Sequence, residues 1–189
     1  MTNNQEYHIP VMLQECIDAL DINPDGVYVD VTFGGGGHSR AIFEKLSSKG
    51  RLIAFDQDPD AHKNVWDAPN FDLVPANFAF ISNHLRLMGV KKVDGLLADL
   101  GVSSHQFDEE ERGFSIRSEA RLDMRMNQQS DLTAEVVVNT YDEKELLRIF
   151  RAYGEIKNAY RLAQEIIAVR RNGKIKTTSE LIEIGVKCA

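Results

Sequence analysis

Three aspartates, Asp30, Asp56 and Asp99, each close a short run of β-branched or aliphatic residues, and four consecutive glycines follow the first of them. The stretch reads Asp30-Val-Thr-Phe-Gly-Gly-Gly-Gly-His38, with Gly34 and Gly36 in a D-x-x-x-G-x-G pattern. Glycines between a strand and a helix let the backbone pass close to a ligand with no Cβ in the way. Asp56 lies 20 residues after Gly36, where an acidic side chain takes ribose hydroxyls. Together these residues predict a site for an adenosine-type cofactor. The plainer alternative is a structural turn and a surface aspartate.

The cofactor class follows from what is missing and from what stands beside the loop. No G-K-[ST] follows the glycines, which excludes a nucleotide phosphate loop. A nicotinamide site would prefer G-x-G-x-x-G, but Ser39 or Arg40 occupies the last position in either register. Asp30 is awkward beside a pyrophosphate and suits the ammonium of S-adenosylmethionine. A methyltransferase is therefore the leading reading, with a nicotinamide-dependent oxidoreductase second. Asp99, in A-D-L-G-V-S-S, ends the fourth apolar run. In an open α/β sheet ligands sit at the carboxyl ends of strands, so Asp99 is placed in the same crevice. An exocyclic base amine is a poor nucleophile, and an oxygen that accepts its hydrogens helps the attack. Asp99 is the catalytic candidate; shaping the pocket is its alternative role. Cys16 and Cys188 lie far from these motifs, which argues against a thiolate nucleophile of the cytosine ring-carbon type. His62 and His84 read as surface or helix-face residues, and no metal site is expected.

The elements that would position these residues alternate strand and helix. Residues 27–33, 51–56, 71–75 and 93–100 read as strands. Residues 10–20, 38–48 and 80–88 read as helices, and Asp58-Pro59 supplies the start signal of one more. Such repeats predict a parallel, doubly wound sheet. From Ser104 to Asp131 the chain is polar with little strand signal, and from Asp142 it reads all-helical. Asp142 with Glu145, and Thr177 with Glu180, have capping-box spacing. The expected domains are 1–103, an α/β cofactor domain, and 104–189, a helical domain.

The 189 residues carry a formal net charge of −7, which excludes a fold-wide basic coat for nucleic acid. The balance is uneven: 8 basic and 14 acidic residues fall in 1–103, but nine basic and three acidic in 144–176. A local surface for a polyanion and a set of solvated helix faces both explain that run. Two distant cysteines exclude a disulfide scaffold and fit a reducing cytoplasm. The polar N-terminus lacks a signal core, and no apolar run approaches membrane-spanning length. A soluble cytoplasmic protein is expected.

The motifs in order are H-I-P-V-M-L-Q-E at 8–15, D-V-T-F-G-G-G-G-H-S at 30–39, F-D-Q-D at 55–58 and D-L-G-V-S-S-H-Q-F-D at 99–108. E-R-G-F-S at 111–115, L-D-M-R-M at 122–126 and Tyr153-Gly154-Glu155 complete them. This set resembles the bacterial 16S rRNA (cytosine-N4)-methyltransferase RsmH (MraW) family along nearly the whole chain. The resemblance implies a class I (Rossmann-like) S-adenosylmethionine-dependent methyltransferase with a helical insertion domain. It also implies methyl transfer to the N4 amine of a cytidine in the decoding centre of 16S rRNA, with the rRNA of the small ribosomal subunit as partner. Carried over, the cofactor contacts fall on Gly36, Gly37 and His38, the ribose on Asp56 and the adenine near Phe78, with Asp99 and Gln106 completing the pocket. The helical domain from Ser104 would face RNA, and the target base would leave its stack to react.

Two departures from the family pattern stand out. His105 replaces the usual proline after V-S-S. Family members also continue beyond Ala189, so a fragment or a shortened chain is expected, with only four strands visible. An uncovered strand edge in such a sheet offers pairing to a second copy, a homodimer. A module that binds S-adenosylmethionine or RNA without turnover is the alternative to an active enzyme.

Overall fold

A computed structural model describes residues 10–189. His8, Ile9 and the polar N-terminus read above lie outside the described residues. The chain forms two compact units, one ending at Gly101 and one spanning Val102–Ala189.

The first unit is a four-stranded sheet of order β3-β2-β1-β4. Its strands are β1 (Val27–Asp30), β2 (Arg51–Phe55), β3 (Phe71–Val74) and β4 (Gly95–Leu97), all parallel. Alternate residues point to opposite faces; both faces are covered over β1 and β2, while Leu96 of β4 stays about half exposed. Tyr28, Leu52, Ala54 and Leu97 share one cluster with Ile17 of α1 (Leu13–Leu20) and Ile42 of α2 (Gly37–Phe43). Val29, Ile53, Phe55 and Val74 share the other with Ile81 and Leu85 of α3 (Ile81–Leu87). Leu52, Ile53 and Phe55 have no exposed surface, each worth about 1.5–3 kcal/mol in burial. This is why the strands read as unbroken apolar runs.

Several elements are shorter than their sequence signals, for identifiable reasons. The helix expected over 38–48 stops at Phe43. The next turn tightens as Lys45 and Leu46 N–H bond to Ile42 and Phe43 carbonyls, and Ser47 N–H is captured by the Pro24 carbonyl at 2.7 Å. The strand expected over 93–100 is only Gly95–Leu97. Its last bond is Val31 N–H to Leu97 O, after which Asp99 N–H turns to the Thr32 hydroxyl at 2.8 Å. Asp58-Pro59 starts only a 3-10 turn, Ala61–Asn64. His62 Nε2 lies 3.1 Å from the Asp56 carbonyl and Asn64 Nδ2 donates to the Gly34 carbonyl, so the segment folds onto the glycine loop.

The second unit is helical: α4 (Ser104–Asp108), α5 (Ala134–Thr140), α6 (Glu143–Ala152), α7 (Ala159–Arg170) and α8 (Thr178–Cys188). Leu122, Val138, Leu146, Ala163, Ile166, Ile175 and Ile184 form its core. Both expected capping boxes form, at Asp142/Glu145 and Thr177/Glu180. A third, at Ser103/Gln106, opens α4, and α5 starts on Thr133, whose hydroxyl accepts Val136 N–H. Between α4 and α5 the chain is irregular and tied locally. The Arg125 guanidinium forks onto Asp123 at 2.6 and 2.8 Å and reaches the Gln128 and Ser130 carbonyls. Asp123 is held below its ordinary value, chiefly by those bonds. No helix among the described residues is long and apolar enough to cross a membrane.

Candidate cofactor-binding site

Because the four strands are parallel, the segments that leave their carboxyl ends gather at one edge of the sheet. After β1 comes the glycine loop, after β2 Asp56, after β3 Phe78 and after β4 Asp99. Six of the seven residues marked out by sequence, Gly36, Gly37, His38, Asp56, Phe78 and Asp99, are therefore delivered to this edge. The seventh, Gln106, lies in the second unit. It is buried, and its side-chain oxygen accepts Ser103 N–H at 3.0 Å in the α4 capping box.

The edge is organised by the carboxylate of Asp30, which has no exposed surface. Its Oδ2 accepts the Ser39 hydroxyl at 2.7 Å, and its Oδ1 accepts Thr32 N–H at 2.9 Å and the Thr32 hydroxyl at 3.2 Å. The Thr32 oxygen in turn accepts Asp99 N–H at 2.8 Å. One buried side chain thus links β1, the start of α2 and the β4 loop. Burial pushes the Asp30 carboxyl up from its ordinary value, and the Ser39 and Thr32 bonds work against that rise. The sequence reading placed Asp30 opposite a cofactor ammonium. The geometry corrects this: the carboxylate is enclosed, and its bonds run to the loops.

Asp56 is a second tether. Its Oδ2 accepts Gly34 N–H and its Oδ1 accepts Asp58 N–H, at 2.8 and 2.9 Å. A carboxylate has about four lone-pair sites, so an acceptor face remains for a ligand hydroxyl. Asn77 caps the 3-10 turn Phe78–Phe80 and also donates to the Gln57 side chain at 3.1 Å. That contact ties the β3 loop to the β2 loop and leaves Phe78 as a half-exposed aromatic.

The glycines divide by what surrounds them. Gly36 has φ +78°, a backbone region that side chains resist, and a Cβ there would meet the Phe33 ring at 3.1 Å. At Gly37 a Cβ would lie 2.3 Å from Pro10 Cγ. Internal packing accounts for both. Around Gly35 nothing lies within 4 Å of a Cβ position, and at Gly34 only the Thr32 carbonyl does, at 3.9 Å. Room for a close ligand approach is therefore open at Gly34 and Gly35, while Gly36 and Gly37 are required as glycines by packing.

His38 is buried, with Nε2 3.1 Å from the Val11 carbonyl and Nδ1 3.9 Å from an Asp99 oxygen. The ring braces the α1 approach against the β4 loop, and Asp99 itself stays about half exposed. Sequence reasoning passed over Thr32, Ser39, Asn64 and Trp66. Trp66 stacks on Phe71 at 4.0 Å, carries the Arg40 guanidinium at 4.6 Å and backs Gly36. Their signals are long-range, and no local pattern announces them. Among the described residues no group of His, Cys, Asp or Glu is arranged to hold a metal.

Comparison with known proteins agrees with this architecture. The model of the MraW methylase family matches residues 5–189. Ribosomal RNA small subunit methyltransferase H of Flavobacterium johnsoniae is 57% identical over 184 residues, which cover 97% of this chain and 61% of that protein. Proteins of the same name from Bacteroides fragilis and Cytophaga hutchinsonii are 54% and 57% identical over 178 and 180 residues, covering 94% of this chain and 59% and 60% of theirs. The chain thus spans about three fifths of the length of the curated relatives it matches. An α/β unit with its loops gathered at one sheet edge, a helical unit after it, and a match along nearly every residue place the chain in the MraW methylase family.

Proposed function

We propose that this chain binds S-adenosylmethionine at the carboxyl edge of its sheet and serves methyl transfer to the N4 amine of a cytidine in the decoding centre of 16S rRNA. The observation that carries the reading is the open backbone at Gly34 and Gly35, with the Asp56 carboxylate bonded to Gly34 N–H and Asp99 beside His38 on the same sheet edge. The edge presents acidic groups rather than a phosphate-binding lysine, which suits a cationic, phosphate-free cofactor and disfavours a dinucleotide. The fit extends to Asp56, whose remaining acceptor face suits ribose hydroxyls, and to Phe78, whose ring suits an adenine face.

When bound, S-adenosylmethionine supplies an electrophilic methyl group on a positively charged sulfur. The chain's own part is to hold and to accept. Asp56 fixes the sugar, with its carboxylate already aimed by Gly34 and Asp58. Asp99 stands where an attacking amine would arrive and accepts its N–H hydrogens, which localises the lone pair for attack. As the nitrogen–carbon bond forms and the sulfur–carbon bond breaks, the surplus amine proton passes to Asp99 or to water. Thr32 and His38 position Asp99 and have no contact with substrate assigned to them. Gln106 caps α4, through which the D-L-G-V-S-S segment enters the helical unit. On this reading the protein works on 16S rRNA in the small ribosomal subunit, in the cytoplasm.

Calorimetric titration of the 189-residue chain with S-adenosylmethionine tests the cofactor step. Micromolar binding, about −8 kcal/mol at 1 μM, is expected. A folded chain that binds none overturns the site. Methylation of small subunits from a strain lacking the modification tests the second step. There Asp99→Ala is expected to lower turnover about 100-fold or more, beyond any loss of cofactor affinity; full turnover removes Asp99 from the reaction. Cofactor binding without any methyl incorporation would favour a binding module.

A further inference from the structure

Tyr153-Gly154-Glu155 plays no part in the site above, yet its conformation is specific. Tyr153 is 75% exposed, and Glu155 adopts φ +50°. The turn is folded onto the end of α6: Tyr153 and Gly154 N–H bond to the Ile149 carbonyl, and Ile156 N–H bonds to Phe150 at 3.0 Å. A fixed turn that holds an aromatic ring in solvent adds nothing to the core.

Cations surround this turn. On α6, Lys144, Arg148 and Arg151 recur at i, i+4 and i+7 and so share one face. Leu146, Ile149 and Phe150 take the opposite side, with Leu146 fully buried. Lys157 ends the connection and Arg161 lies in the first turn of α7. All five cations are exposed, and among the described residues none of them is engaged in an ion pair. Other arginines of this unit are used internally. Arg170 donates to the Val138 and Tyr141 carbonyls, and Arg125 clasps Asp123. The acids nearby are partly committed too: Glu145 closes the capping box with Asp142. Residues 144–176 hold nine basic against three acidic residues in a chain of net charge −7. With charges screened over about 8 Å at physiological salt, a polyanion senses this local patch and not the chain's total.

We infer that the outer face of α6, its turn into α7 and the first turn of α7 form a docking surface for an RNA backbone. The proposal rests on the RNA-methylation reading. The three α6 cations span about 10 Å at 1.5 Å per residue, a row suited to successive phosphates of one strand. Tyr153, presented at the end of the row, stacks on an unpaired base. An acidic peptide would need no exposed ring there, and a lipid surface would need large apolar anchors along the α6 row itself, whereas the exposed Ile156 and Tyr160 lie beyond it, in the connection and in α7.

The test is binding of the chain to a transcribed RNA hairpin with a single-stranded loop, measured across potassium chloride concentrations. The variant carrying Arg148→Glu, Arg151→Glu, Lys157→Glu and Arg161→Glu is expected to bind at least tenfold more weakly at low salt. Its slope of log affinity against log salt should fall by about three, about 0.7 per lost contact to a single strand. Tyr153→Ala should weaken binding several-fold with the slope unchanged, and only when the loop is single-stranded. Charge reversal at exposed Lys91 and Lys92 of the first unit is the control and should change little. An unchanged affinity and slope in the fourfold variant, or an equal loss in the control, overturns the surface. So does a variant that loses binding to anionic phosphatidylserine vesicles while keeping its RNA affinity. Fluorescence of Trp66, the only tryptophan and a neighbour of the glycine loop, reports S-adenosylmethionine binding in the same samples. Its failure in the unmodified chain would count against the cofactor reading alone.

Discussion

In the sheet unit, α1 and α2 start from left-handed residues, Met12 at φ +50° and Gly36 at φ +78°, and neither start has a side-chain cap. In the helical unit, α4, α6 and α8 each start from a reciprocal capping box, at Ser103, Asp142 and Thr177. The helix starts of that unit are set by bonds between residues three apart, and longer bonds such as Asn139 to Ile175 and Thr178 to Ser118 join its segments. The site end of the sheet unit is specified by bonds between residues far apart: Gly34 to Asp56, Asn64 to Gly34, Asp99 to Thr32. Helix starts set by local caps hold while the surface around them varies. A site built from long-range tethers places its ligand-facing atoms accurately and depends on every tether.

The largest effect should come from the core of the helical unit. Leu146 is fully buried among Val138, Leu162 and Ile166, so Leu146→Ala should cost about 2–5 kcal/mol. Hydrogen exchange should show the loss in Val102–Ala189, with S-adenosylmethionine affinity retained by the sheet unit. A matching loss of cofactor affinity would show that the units do not act separately.

Next in size is the reverse experiment. Asp56→Ala removes the acceptor for two backbone N–H groups and for the proposed ribose contact. Bonds to a charged group are worth about 1.5–3 kcal/mol, so cofactor affinity should fall about 10- to 100-fold. The helical unit's protection should not change. Normal affinity in this variant takes Asp56 out of the ribose role.

Smaller again is the loss of a local signal. Asp142→Ala removes the cap of α6 and should cost about 1 kcal/mol in denaturant melting, with no change in cofactor binding. A negligible cost would mean that packing alone sets the start of α6.

These contrasts also explain what was legible in the sequence. Capping spacing is local, so Asp142/Glu145 and Thr177/Glu180 were readable. Ser103/Gln106 has the same spacing but was hidden inside a motif read for its ligand role. Helix α5 was missed because Val136-Val137-Val138 is β-branched and reads against a helix, whereas Thr133 and the packing of Val138 impose one. The strands were placed correctly by their apolar runs, but their ends were not. The carboxyl ends of β1 and β4 are decided by Thr32 and Asp99, 67 residues apart. The candidate residues were found by type and position at strand ends. Their division of labour was not, because whether a glycine faces Pro10 or open space depends on a segment 27 residues away.

The finest comparison sets two aspartates against each other. Asp30 is enclosed, and burial raises its carboxyl above the ordinary 3.8. A folded-state value above the unfolded one means its contribution to stability is present below about pH 3.8 and is lost as pH rises through the folded value. Asp123 is lowered below 3.8, first by the Arg125 bonds. Its contribution is present above about pH 3.8 and is lost as pH falls through its folded value. Acidification should therefore favour the Asp30 region of the sheet unit while it weakens the loop before α5. Hydrogen exchange read unit by unit from pH 7 to pH 3 measures this divergence. Asp123→Asn should flatten the acid-side loss in the helical unit, and Asp30→Asn should remove the acid-side gain in the sheet unit. If both regions lose protection in parallel, and neither substitution alters the profile, the two carboxylates do not control the acid response, and the opposed environments at Ser39 and Arg125 have no thermodynamic consequence.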